Sequence, residues 1–257
     1  MSEQINKLSQ KLISESLKSN GIDCEVLAFE EIDSTNLEAK RMVNESDNKA
    51  VLLLAESQTA GKGRMGRSFY SPKATGLYMS YMYTPEVDFS DSVLVTVAAS
   101  VAVTRAIEAL TDLKPQIKWV NDIYIDGKKV CGILTEAVTG QKVKIIVGIG
   151  VNITTDSFPD GVAEVATALK SPVNRNTLAV DIISELKRLI DELPKRTFIE
   201  DYRKKSCVLG RNVTFLKNGI EARGRAVDID RDGGLIVETP NGNVTLNTGE
   251  ITLRVSG

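Results

Sequence analysis

The sequence predicts an α+β protein, a mixed-sheet domain followed by a small β-barrel of SH3 type. Two observations carry this reading. Apolar β runs alternate with amphipathic helical stretches as far as Cys207. After it the chain turns into short β runs separated by Asn-Gly and Asp-Gly pairs. With 257 residues, 42% of them hydrophobic, it can bury a sizeable core.

Ile5, Leu8 and Leu12 recur at helical spacing and predict a helix over 4–19. Cys24–Glu30 reads as a strand. Asp33, Ser34 and Thr35 then supply N-cap candidates for a helix over 36–45. Strands are expected near 50–57 and 75–83. A long helix covers 91–111, with Val93, Val97, Val101 and Ile107 turned inward. Two strands, 116–125 and 129–137, flank Asp126-Gly127, a hairpin signal. Val143–Ile153 is β-branched and reads as a strand. Leu178, Ile182, Leu186, Ile190 and Leu193 mark a helix that Pro194 ends, and a second helix follows over 196–206. Beyond Cys207, strands are expected at 213–217, 222–230, 235–238, 244–247 and 251–255, with turns at Asn218-Gly219, Asp232-Gly233 and Asn241-Gly242.

Composition excludes several classes. A net charge of −2 gives no global field for nucleic acid. No apolar run near membrane-spanning length is apparent, so no membrane partner is expected. Cys24, Cys131 and Cys207 are few and far apart, which suggests reduced thiols and a cytoplasmic location. The chain has no histidine, so every His-dependent triad and His metal site is excluded.

One segment stands out. From Gly61 to Arg67 three glycines interleave with the cations Lys62, Arg64 and Arg67. Glycines let backbone approach a ligand closely, and their N–H groups can line an anion site. The spacing fits neither the Walker loop nor the dinucleotide fingerprint. The apolar run Ala50–Ala55 leads into it, so a flexible basic loop follows a rigid strand. A solvated surface loop would have the same composition.

Five pieces then combine: Asp33-Ser-Thr-Asn36, Gln58 with the glycine–cation loop, Lys118-Trp-Val-Asn-Asp122, Lys129-Val-Cys-Gly-Ile-Leu134 and Gly148-Ile-Gly-Val-Asn152. In this order, with a small C-terminal barrel, they resemble the biotin–protein ligases. The resemblance implies a class II synthetase-like catalytic domain at 25–207, after a helical segment 1–24 and before a barrel at 208–257. It implies that biotin and ATP, with Mg²⁺, form biotinyl-5′-AMP, and that a lysine of a biotin carboxyl carrier domain takes the biotinyl group. A homodimer is compatible with it.

By the same resemblance Ser34, Thr35 and Asn36 line the biotin pocket, where hydroxyls and an amide suit a cyclic urea. N-capping would use the same residues. Gln58 contacts biotin, and Lys62, Gly63 and Arg64 close over biotin and the adenylate. Lys129 sits beside the biotin carboxylate and the α-phosphate, where a compact charge offsets the repulsion of two anions. Lys118 faces the phosphates. Arg64, Arg67, Phe69, Asn121 and Asn152 surround the nucleotide, Asn152 at the adenine edge. Asp122 is the candidate Mg²⁺ ligand. Gly132, Gly148 and Gly150 clear space for the flat bicyclic ligand, although strand packing uses glycine equally often.

Three features depart from the family pattern. Phe69 stands where many relatives have tryptophan, and Val120 replaces a proline. About 30 residues precede Asp33, fewer than a DNA-binding winged helix needs, so the expectation is a ligase without repressor function and without DNA as a partner, or a sequence from which that domain has been removed. A lipoyl or octanoyl ligase-transferase of the same superfamily is the alternative enzyme. A non-catalytic regulator is the alternative of another class.

Overall fold

Seven strands pair into one mixed sheet whose two faces bury different things. The computed structural model describes residues 7–44, 49–85, 92–217, 219–247 and 251–253. The strands are β1 (Cys24–Phe29), β2 (Ala50–Ala55), β3 (Gly76–Tyr83), β4 (Gln116–Lys118), β5 (Asp122–Ile125), β6 (Lys128–Thr139) and β7 (Val143–Asn152). Their order is β1-β2-β3-β7-β6-β5-β4, with β1 and β2 parallel and the other neighbours antiparallel.

On one face lie α1 (Gln10–Ser19), α3 (Ser92–Leu110) and α4 (Arg175–Asp191). Ile13, Leu17, Val97, Val101, Ile107, Leu178, Ile182 and Leu186 are buried there against Leu52, Leu54, Leu77, Val147 and Ile149. Each fully buried aliphatic side chain of this kind contributes about 1.5–3 kcal/mol. Side chains alternate along a strand, so Val51, Leu53, Met82 and Ile146 point to the opposite face. There they form a smaller core with Ala39 and Val43, below α2 (Thr35–Arg41). The rest of that second face carries the candidate site.

A helix α5 (Ile199–Lys205) leads into a five-stranded antiparallel sheet, the small SH3-like unit that the sequence predicts. Its strands are β8 (Asn212–Lys217), β9 (Ile220–Ile229), β10 (Leu235–Thr239), β11 (Gly242–Leu246) and β12 (Ile251–Leu253), in the order β11-β10-β9-β8-β12.

Several boundaries differ from expectation for local reasons. α1 starts at Gln10 because Ser9 caps it, its hydroxyl accepting from Leu12 N at 3.3 Å. Residues 4–6 lie outside the described residues, as do 45, 91, 218, 254 and 255. α2 is shorter than expected and tightens into a 3₁₀ turn at Met42–Asn44. The expected strand 116–125 is broken. Lys118 pairs with Asp122 across a turn of Trp119, Val120 and Asn121, so β5 folds back on β4. The helix expected over 196–206 begins only at Ile199, because Arg196 adopts a left-handed backbone with φ 55°. Asp126 and Gly127 both have positive φ, as a two-residue hairpin turn requires. One sequence expectation is corrected: Val93–Leu110 is long and apolar enough to cross a membrane. It is the central core helix, and its apolar length is spent on the sheet and α4.

Candidate functional site

Glycines decide where the site opens. β6 and β7 pair Gly132 with Gly150 and Leu134 with Gly148, and β3 sets Ser80 opposite Gly148. Three of these positions carry no side chain on the second face, so neighbouring groups sink into the gaps they leave. A Cβ on Gly148 would lie 2.1 Å from Asn36 Oδ1, and one on Gly150 2.5 Å from the Phe69 ring. One on Gly132 would lie 3.0 Å from Lys129 Nζ. The space expected to receive a flat ligand is thus taken up here by Asn36, Phe69 and Lys129. Gly148→Ala should cost about 1–3 kcal/mol as overpacking, since hydrogen bonds on both sides of Asn36 keep its amide from moving aside. Denaturant unfolding measures this, and an unchanged midpoint would contradict it.

The polar wall is built by the start of α2 and the end of β2. Ser34 is the N-cap residue, yet its side chain makes no capping bond, so plain capping is not its role. Its amide donates to Asp33 Oδ1, and Asp33 pairs with Arg41, whose guanidinium holds the carboxyl below the usual range. Thr35 N donates to Gln58 Oε1 at 2.9 Å, and Gln58 Nε2 donates to Ser71 Oγ at 2.8 Å. Ser71 Oγ donates to Phe69 O. Ser80 Oγ lies 2.7 Å from Thr35 Oγ1 and donates to Asn36 Oδ1 at 2.6 Å. Asn36 Nδ2 donates to Glu136 Oε2 at 3.0 Å.

The basic loop crosses the mouth. Its base is tied to the same elements, because Thr59 N donates to Ile32 O and Ala60 N to Asp33 O. Gly63 N donates to Arg67 O, Phe69 N to Gly61 O, and Arg64–Gly66 form a 3₁₀ turn. Arg64 reaches across to Asn121, Nη1 to Oδ1 at 3.0 Å. Asn121 Nδ2 is held by Ile133 O at 2.8 Å. Asn121 therefore positions Arg64 and spends both amide ends on protein. The largely buried turn that carries it is braced from behind. Trp119 Nε1 donates to Gly233 O in the C-terminal unit, and Tyr202 Oη to Val120 O.

Two adjoining cavities result. The inner one, about 100 Å³, is lined by Ser34, Thr35, Asn36, Gln58, Lys62, Gly63, Arg64, Gly132, Gly148 and Gly150. The outer one, about 570 Å³, is lined by Lys118, Asn152, Tyr124, Tyr70, Phe158, Val162 and Val165 among others. Gln58, Arg67, Phe69, Asp122 and Lys129 border both. Lys129 Nζ is 2.6 Å from Asp122 Oδ1 at this junction, with both side chains about three-quarters buried. Lys129 is fixed through its backbone too, its N donating to Val165 O and its O accepting from Thr167 N. Lys118 reaches only the outer cavity, where its ammonium lies 5.4 Å from the Tyr124 ring centroid. Burial pushes the Tyr124 hydroxyl up to about 12, so it stays protonated at neutral pH. Asn152 donates to Thr167 O at 3.1 Å, while its buried Oδ1 has no partner among the described residues. The Cys131 thiol, wholly buried beneath Gly132, is pushed far up and stays inert.

The sequence reading missed Ser71, Ser80, Glu136, Tyr124 and the Tyr70–Phe158 ring pair, whose centroids are 6.2 Å apart. Glu136 had a signal, because Gly132, Leu134 and Glu136 share one face by strand period. The residues of 156–166 had none, being irregular loop.

Known proteins match this architecture. Residues 28–152 match the Biotin/lipoate A/B protein ligase family, and 208–254 match the Biotin protein ligase C terminal domain. A bifunctional ligase/repressor BirA from Bacillus spizizenii is 31% identical over 96% of this chain and 79% of its own length. The chain belongs to the biotin protein ligase family. A biotin–[acetyl-CoA-carboxylase] ligase from Mycobacterium tuberculosis is 28% identical to this ligase over 85% of each chain. The structure of an Aquifex aeolicus biotin protein ligase in complex with biotin and ATP superposes on it with a TM-score of 0.78. That match is 28% identical and covers 90% of the ligase and 99% of the Aquifex chain. The ligase is an enzyme of this class, and the C-terminal match sets aside the lipoyl alternative.

Proposed function

We propose that the ligase activates biotin with ATP as biotinyl-5′-AMP and transfers the biotinyl group to a lysine of a biotin carboxyl carrier domain. The Lys129–Asp122 pair at the junction of the two cavities carries the proposal. Biotin takes the inner cavity, where Ser34, Thr35, Asn36 and Gln58 meet its ureido ring. ATP takes the outer one, with its adenine amino group toward the unpartnered Asn152 Oδ1. The inner cavity of about 100 Å³ must widen when both ligands are bound, and the Phe69 ring over Gly150 is the group we expect to move.

A biotin carboxylate oxygen attacks the α-phosphorus, and the bond to pyrophosphate breaks. The Lys129 ammonium lies between the two anions and offsets their repulsion. Arg64, Arg67 and Lys118 add positive charge around the phosphates. The carrier amine then attacks the mixed-anhydride carbonyl, loses a proton, and AMP leaves. No covalent enzyme intermediate is needed, and positioning with charge neutralisation supplies the rate. Among the described residues no three metal-ligating groups cluster. A single carboxylate, Asp122, would suffice to hold a Mg²⁺ bound mainly by the polyphosphate, and the ion would supply positive charge to the phosphates. We take 1–24 as a helical lead-in, 25–207 as the catalytic unit and 208–257 as the C-terminal unit of a cytoplasmic enzyme. A net charge of −2 gives no global field to attract duplex DNA, and we expect no direct role on it.

Mass spectrometry of a carrier domain incubated with the ligase, biotin and MgATP tests the function. One biotinyl group is expected on one lysine, and none when lipoate replaces biotin. An unmodified carrier in the biotin arm would refute the reading.

The loop 59–68 should close further over the adenylate and keep water from the anhydride. Trypsin cleavage after Lys62, Arg64 and Arg67 should slow when biotin and MgATP are added. Arg64→Gly loses its charged contact to Asn121, worth roughly 1.5–3 kcal/mol, and should release free biotinyl-AMP before transfer. Equal cleavage with and without ligands would remove ligand-driven closure.

A further inference from the structure

The strongest unassigned feature is the hydrogen-bond chain behind the inner cavity. Glu136 sits on β6, four residues beyond Gly132 on the same face, and does not line the cavity. Its Oε2 accepts from Asn36 Nδ2 at 3.0 Å, and its Oε1 pairs with Lys40 at 2.8 Å. A carboxylate can only accept. Turning the Asn36 amide over would therefore set its oxygen against a negative oxygen, so Glu136 fixes which end of the amide faces Ser80. The Asn36 oxygen then takes the Ser80 proton at 2.6 Å. The Thr35 hydroxyl, 2.7 Å from Ser80 Oγ and 3.2 Å from Gln58 Oε1, gives its own proton to one of the two. If Asn36 were turned over, Ser80 would accept from it and pass its proton to Thr35, whose proton would be forced onto Gln58. The donor and acceptor pattern of the wall thus depends on what faces Asn36 Nδ2: Glu136 at 3.0 Å, with Leu134 O at 3.5 Å, the outer limit of a hydrogen bond.

We propose that Glu136 is a positioning residue for biotin recognition: it locks Asn36 with its acceptor turned into the wall that meets a ureido N–H. This rests on the functional reading above. Glu136→Gln keeps size and shape but offers Asn36 either a donor or an acceptor, so only the long 3.5 Å contact to Leu134 O still opposes the turned-over amide. The second carboxylate contact, to Lys40, is an ion pair about one-third exposed and contributes little.

The test is steady-state pyrophosphate release from the 257-residue ligase, with KM for biotin and for ATP measured separately. Glu136→Gln should raise KM for biotin by about tenfold or more, because a misdirected amide leaves a buried ligand group unpaired. KM for ATP, kcat and the melting temperature should stay close to wild type. Lys40→Met, which keeps the Glu136–Asn36 bond, should leave KM for biotin within about twofold. The pair Glu136→Gln with Asn36→Asp should recover most of the loss, because the introduced glutamine amide donates to a carboxylate that still accepts from Ser80. A biotin KM within twofold of wild type in Glu136→Gln overturns the proposal. So does an equal rise for both substrates, an equal effect from Lys40→Met, or no recovery in the pair. A wild-type ligase without biotin-dependent pyrophosphate release would instead sink the functional reading, and this inference with it.

Discussion

Lys129→Ala keeps the fold and loses on the order of 2–4 kcal/mol of transition-state stabilisation for adenylate formation. The fold survives because the backbone of residue 129 makes the contacts that hold the outer loop. Its N–H to Val165 and its C=O to Thr167 do not depend on the side chain. What disappears is the ammonium 2.6 Å from Asp122, at the border of both cavities. Without it a carboxylate must approach a polyphosphate beside an uncompensated Asp122. The effect should fall on kcat for biotin-dependent pyrophosphate release rather than on the melting temperature. A wild-type rate in the variant would remove Lys129 from the mechanism.

Glu56→Ala should have the largest effect on stability, a loss of about 3–5 kcal/mol, because it leaves a buried guanidinium without its carboxylate. Glu56 Oε2 is 2.7 Å from Arg175 Nη1, and both side chains are at most 5% exposed. Glu56 Oε1 also accepts from Leu8 N, and Arg175 donates to Gly76 O. One ion pair thus joins the lead-in to α1, the end of β2, the start of β3 and the first turn of α4. Gln58 follows two residues later, so the polar wall of the site hangs from this anchor. A domain has roughly 5–15 kcal/mol in all, so the variant loses a large share. Replacing both partners by methionine should be far milder, since neither charge is then left alone. Urea unfolding of the two variants checks this, and a Glu56→Ala loss below about 1 kcal/mol would contradict it.

The fold was legible in the sequence where periodicity is strong. The apolar faces of α3 and α4, the β2 run and the hairpin at Asp126-Gly127 all appear as expected. The break at 119–121 was not legible, because Trp119 and Val120 look like strand residues. What holds them in a turn is Gly233 and Tyr202, more than eighty residues downstream. The membrane-length character of α3 was overlooked because Thr96, Ser100, Thr104 and Arg105 interrupt its apolar run. The residues that the family resemblance named for the site do meet around two adjoining cavities. Asn121 holds Arg64 in place, and Gly132 and Gly150 accept Lys129 and Phe69. Such roles follow from which side chain sinks into which gap, and sequence spacing does not carry that information.

The central claim is that the biotin carboxylate itself attacks the α-phosphorus of ATP before any transfer to the carrier. Biotin labelled with ¹⁸O in its carboxylate tests it directly, by mass spectrometry of the AMP formed with MgATP and a carrier domain. The attacking oxygen becomes the bridge of the mixed anhydride and departs with the phosphate when the amine attacks the carbonyl. The account predicts one ¹⁸O in AMP for each biotinyl group transferred. AMP without label, alongside a biotinylated carrier, would contradict it.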